Sequence, residues 1–103
     1  MKTRREMLEE FVTADPQDSF SRYALALELE KAESHVEAAA ELREVVARDP
    51  DYVAAYYHLG RILSFLGEVE ESRAVFRRGL DVASAAKDER ARSEIQEALD
   101  MLD

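Results

Sequence analysis

A period of 34 residues constrains this chain more than any other feature. Only two prolines occur among its 103 residues, and both stand in the same dipeptide, Asp15-Pro16 and Asp49-Pro50, 34 positions apart. Sliding the sequence by that interval lays Tyr23-Ala24-Leu25-Ala26 on Tyr57-His58-Leu59-Gly60, Leu29 on Leu63, Glu37 on Glu71, Leu42 on Phe76 and Arg43 on Arg77. Size and polarity are preserved, and small residues recur in two slots, Ala26 with Gly60 and Ala38 with Ser72. A repeat of this length is a supersecondary unit that cannot bury its apolar face alone, so successive units must stack.

The spacing inside each unit is helical. Leu25 and Leu29 lie four residues apart, and Leu59, Ile62, Leu63 and Leu66 continue the pattern in the second unit, with no strand-like alternation. Asp49 precedes a proline and is driven away from α geometry, so the helix running from Glu37 to Arg48 ends there. Asp18 and Asp51 are placed to cap the helices that follow. Ser34 with Glu37 has the spacing of a capping box, and Gly67 followed by Glu68, Glu70 and Glu71 reads as a left-handed helix stop before an acidic first turn. Gly60 lies inside a helix at a cost of about 1 kcal/mol relative to alanine, so a close helix approach is expected there, with Ser72 opposite it, as Ala26 and Ala38 face each other in the first unit.

Flanking segments extend the stack. Residues 4–14 place Met7, Leu8, Phe11 and Val12 on one side and read either as a second-helix remnant leading into the first unit or as a frayed leader. Near the other end Ala91, Ile95, Ala98, Leu99 and Leu102 recur at helical spacing, giving a helix expected to cap an open apolar end. The whole of 1–103 is expected to be a single domain: 4–14 an N-terminal helix, 17–50 the first unit, 51–84 the second and 88–102 the capping helix.

These residues resemble the tetratricopeptide repeat family, whose pattern runs Trp-x2-Leu-Gly-x2-Tyr, then Ala, an aromatic and a closing Pro. The second unit matches it with Tyr56, Leu59-Gly60, Leu63, Gly67, Ser72, Phe76 and Gly79, and the first with Arg22, Leu25-Ala26, Leu29, Ala38, Leu42 and Pro50. Arg22 and Tyr56 occupy the tryptophan slot, Leu29 and Leu63 the tyrosine slot, and Ser84 stands where the second unit would close with proline. The resemblance covers about residues 17–84 and is to small, bacterial-type, stand-alone members. It implies an all-α fold of antiparallel helix-turn-helix repeats, stacked as a short right-handed superhelix.

The resemblance also implies a groove lined by the first helix of each unit. The corresponding slots are Phe20, Tyr23, Ala24, Leu27, Glu30 and Lys31, then Ala54, Tyr57, His58, Arg61, Ser64 and Phe65. Phe20, Tyr23, Leu27, Tyr57 and Phe65 would form an apolar and aromatic stripe fringed by Lys31, His58 and Arg61, of the kind that marks contact with another chain. Family members that grip a chaperone's terminal carboxylate use lysine, asparagine and arginine. Here those slots hold Tyr23, Leu27 and His58, so that clamp is not assembled, although Arg61 and Arg92 can each meet a single acidic group. Two other readings stay open: the stripe is covered by a terminal helix or is ordinary core, or two copies bury their open faces as a homodimer.

Composition narrows the function classes. The net charge is −9 with acids spread along the chain, so phosphate backbones and anionic membranes are repelled on average, and Arg4-Arg5 and Arg77-Arg78 are too short to reverse that. There is no cysteine, no Gly-rich phosphate loop and no Ser-His motif, so neither catalysis nor a cofactor is expected. His35 and His58 share no metal-ligand spacing: His35 reads as an exposed turn residue, and His58 as a groove hydrogen-bonder or a solvated side chain. Glu28, Glu30, Glu33, Glu37, Glu41 and Glu44 read as a solvated helix surface. With no membrane-length apolar run and no leader, the expectation is a cytoplasmic adaptor that binds another protein or peptide.

Overall fold

The computed structural model describes residues 1–102, which form six helices and no strand: α1 (Arg4–Ala14), α2 (Ser19–Lys31), α3 (His35–Arg48), α4 (Val53–Phe65), α5 (Val69–Ala85) and α6 (Glu89–Asp100). Helices α2 and α3 make one antiparallel hairpin and α4 and α5 the next. Helix α1 packs on α2, α3 on α4, and α6 on both α5 and α4, so each element is buried mainly by its chain neighbours. The result is an elongated stack measuring 44 × 28 × 19 Å.

Equivalent residues of the two units do equivalent work. Leu25 and Leu59, like Leu29 and Leu63, are buried in one continuous core. In the tryptophan slot, the Arg22 guanidinium donates to the Pro16 carbonyl at 3.3 Å and the Tyr56 hydroxyl to the Pro50 carbonyl at 2.6 Å. Both side chains therefore tie their helix to the turn six residues upstream, which explains how a charged and an aromatic residue serve one position. Arg22 is buried, and its charge is met by Glu41 at 2.8 Å. On the outer face Glu37 accepts from Arg5 at 3.2 Å, and its repeat equivalent Glu71 accepts two bonds from Arg43 at 2.7 and 2.8 Å.

The close approach at Gly60 is present. Ser72 Oγ donates to the Gly60 carbonyl at 2.6 Å in a fully buried contact, and a Cβ added to Gly60 would overlap the Phe76 ring. Phe76 occupies the slot held by Leu42 in the first unit, where Ala26 replaces Gly60, so the larger side chain is matched by the smaller helix residue.

Several local expectations need correction. Ser34 makes no side-chain cap; the turn is closed instead by Glu33 at φ 63° and a backbone bond from the Ser34 amide to the Leu29 carbonyl at 2.8 Å. Gly67, at φ 83°, closes the equivalent turn in the second unit, with the Glu68 amide on the Leu63 carbonyl at 2.8 Å. The capping box is found at Thr3 and Glu6, and Asp18 caps α2, but Tyr52 rather than Asp51 stands at the start of α4 and offers no side-chain bond. Without a second-unit proline, α5 runs through Ser84 to Ala85, and Lys87 at φ 58° turns the chain into α6.

The ends are more open than the core. Helix α1 buries Leu8, while Met7 and Phe11, four residues apart on the same helix, stay 43% and 54% exposed. In α6 only Ile95 is fully buried, packed where α5 carries Gly79; a Cβ there would lie 3.1 Å from Ile95 Cδ1 and 2.7 Å from Tyr56 Cβ. Helix α6 does not simply seal the stack, because its contact with α4 makes it a wall of the face described next.

Candidate functional site

Helices α2, α4 and α6 succeed one another along one face. From α2, Tyr23 meets Tyr52 with ring centroids 5.2 Å apart and His58 edge-on at 5.6 Å; His58 in turn meets Tyr57 at 5.5 Å. Burial pushes the Tyr23 and Tyr52 phenols above their usual pKa, so both remain neutral hydroxyls. The row continues with Arg61, whose guanidinium lies 5.5 Å from the centre of the Tyr57 ring.

Two hollows open between α4 and α6. The larger, about 610 Å³, has Phe65, Phe76, Ala98, Met101 and Leu102 as its apolar walls, with Arg61 and Glu97 at its polar margin. The smaller, about 350 Å³, is bounded by Val53, Ala54, His58 and Ala91 with the carboxylates of Asp88 and Glu94. Tyr57 and Glu94 border both. Phe65 is 72% and Met101 82% exposed, an arrangement that leaves apolar surface facing solvent on an otherwise highly charged molecule.

His58 is three-quarters enclosed, and among the described residues its Nδ1 has no hydrogen-bond partner: the Glu30 carboxylate at 3.7 Å lies beyond hydrogen-bond reach. Burial holds the imidazole below its usual pKa, and Arg61 adds to the effect, while Glu30 and Glu94 oppose it. His58 is therefore not the solvated side chain that one reading of the sequence allows. His35 is no free turn residue either; it opens α3, is half-buried and packs its ring 4.3 Å from that of Phe65.

Of the eight side chains singled out in the sequence, Tyr57, Arg61 and Phe65 line the larger hollow, Tyr57 and His58 the smaller, and Tyr23 joins them through ring contacts. Phe20, 69% exposed, Leu27 and Lys31 line neither, and Lys31 approaches Glu28 on its own helix at 4.0 Å. Ala24 is buried in the core. The contributors from α6 and the turn after it, Glu94, Ala98, Met101 and Leu102 above all, escaped sequence reasoning. Their helical spacing was visible, but the missing proline hid the fact that α6 stands beside α4 as a further first helix would.

A stack of helical hairpins with such a face defines an α-helical repeat protein. The tetratricopeptide repeat model matches residues 29–99, and the chain belongs to that family. It is 37% identical to a tetratricopeptide repeat domain protein from Salinibacter ruber, with 86% of this chain and 90% of that one covered and a TM-score of 0.80. A protein from Bordetella parapertussis is 26% identical over 99% of this chain and 89% of its own, at a TM-score of 0.82. PcrH, solved in complex with the chaperone binding region of PopD, shares the fold at a TM-score of 0.89 and 13% identity, with 95% of this chain and 74% of that chain covered. A comparison with curated proteins finds no match. Among the described residues, no helix is long and apolar enough to cross a membrane.

Proposed function

We propose that this chain is a protein-interaction module whose α2–α4–α6 face binds a segment of another polypeptide. The observation that carries this reading is the larger hollow, where Phe65 and Met101 stand exposed beside Tyr57 and Arg61. Exposed aromatic and apolar anchors with an adjacent arginine are the residue types that dominate binding energy when desolvated. The PcrH–PopD complex supports the reading as an example of this fold holding a protein segment. Tyr57, at the junction of the hollows, is the expected anchor, with Tyr23, His58, Arg61 and Phe65 around it; Phe20, Leu27 and Lys31 extend the face along α2.

The test is cross-linking and affinity capture from the source cells with wild type and Tyr57→Asp, folding being checked by circular dichroism. A partner retained equally by the folded variant would defeat the proposal. A second reading, a homodimer, draws on Met7 and Phe11 at the open α1 end. Sedimentation distinguishes it, because a dimer dispersed by Phe11→Asp and untouched by Tyr57→Asp would place self-association at that end.

A further inference from the structure

The two hollows differ in chemistry, and the difference specifies a partner. The larger is walled mainly by carbon. Among the described residues lining the smaller are Asp88 and Glu94 and no lysine or arginine, and burial holds its one imidazole, His58, below its usual pKa. Each of these carboxylates is only partly committed. Asp88 uses one oxygen to cap α6 through the Ala91 amide at 3.0 Å, and Glu94 faces an Arg90 that is 91% exposed, a pairing that solvent and salt weaken. Of the charged side chains lining the two hollows, Asp88, Glu94 and Glu97 are acidic and Arg61 is basic, in a chain of net charge −9.

Resting on the groove reading above, we propose that the occupant is a polypeptide segment that places a large apolar side chain in the larger hollow and a lysine or arginine in the smaller one, against Glu94. Because Tyr57 and Glu94 wall both hollows, the two anchors lie close together in the segment, one turn apart on a helix or two residues apart in an extended chain. The apolar anchor supplies affinity by leaving water. The cation supplies direction, since reversing the segment would bring its charge to Arg61. Segments rich in aspartate or glutamate are disfavoured, which sets this groove apart from one built to receive an acidic tail.

A phage-displayed random peptide library tests this, selected on wild-type protein. Enriched peptides are synthesised and their Kd is measured against wild type, Glu94→Lys, Phe65→Asp and Tyr57→Ala. Glu94 and Phe65 are exposed enough that their substitutions leave the core untouched. The expected consensus pairs lysine or arginine with a large apolar residue; binding weakens about tenfold in Glu94→Lys, binding to the wild type weakens in 0.5 M salt, and binding is lost in Phe65→Asp. Acidic or uncharged peptides that need Phe65 but are indifferent to Glu94→Lys, or gain from it, overturn the charge assignment and leave the groove standing. Peptides indifferent to both Phe65→Asp and Tyr57→Ala, or no enrichment at all, overturn the groove and this proposal with it.

Discussion

At the scale of single residues the two units are not copies but paired solutions. Gly60 with Phe76 and Ala26 with Leu42 fill the same place between hairpin helices, and a Cβ at Gly60 would overlap the Phe76 ring. Gly60→Ala gains about 1 kcal/mol of helix propensity but forces a methyl into the Phe76 ring, and overpacking of about 1–3 kcal/mol outweighs the gain. The net effect is a lower Tm; combining it with Phe76→Leu should recover much of the loss, a coupling that a double-mutant cycle by thermal denaturation reads directly. His58 supplies a second prediction. Its folded-state pKa lies below the unfolded one, so the unfolded chain binds the extra proton first, and stability is full above about pH 6.5 and declines as pH falls below it. In His58→Gln, the pH dependence of the urea midpoint should flatten between pH 7 and 5. An unchanged slope would assign the dependence to other groups. The small slots were legible because repetition marks them twice. The His58 environment was not, since enclosure by Tyr23, Tyr57 and Glu30 arises only when α2 and α4 are side by side.

Elements begin and end where backbone groups find partners, and here sequence signatures misled in a specific way. The Ser34–Glu37 spacing fits a capping box, yet the left-handed Glu33 lets the Ser34 amide satisfy the end of α2, and no side-chain cap forms at α3. Thr3 forms the reciprocal bonds with Glu6 at 3.1 and 3.0 Å. Thr3→Ala should therefore weaken α1 by about 0.5–2 kcal/mol, read as faster amide exchange in residues 4–14, whereas Ser34→Ala should leave α3 exchange unchanged. A large loss of protection in the serine variant would mean that its hydroxyl caps α3 in solution. Helix lengths followed the same logic. Asp-Pro ends α1 and α3 on schedule, and the run of α5 to Ala85 was hidden because nothing at Ser84 forbids helix.

For the whole molecule, the arrangement of contacts dictates how stability and function divide. Each helix rests on its chain neighbours, and α4–α6 is the substantial contact that skips an element. In such a stack the interior units hold the ends, and loss of one terminal helix need not unfold the remainder. Removing α1 takes away the burial of Leu8 and the Arg5–Glu37 pair, neither of which reaches the hollows. Removing α6 uncovers the Gly79 surface of α5 and strips Glu94, Ala98 and Met101 from the binding face. A chain starting at residue 15 should thus show a lower Tm and retained binding of groove-selected peptides. A chain ending at residue 87 should keep a cooperative helical core of α2 to α5, by circular dichroism and amide exchange, and lose that binding. The opposite pattern, with binding surviving loss of α6 but not of α1, would locate the functional face on the α1–α2 side, where Phe20 and Phe11 are exposed instead.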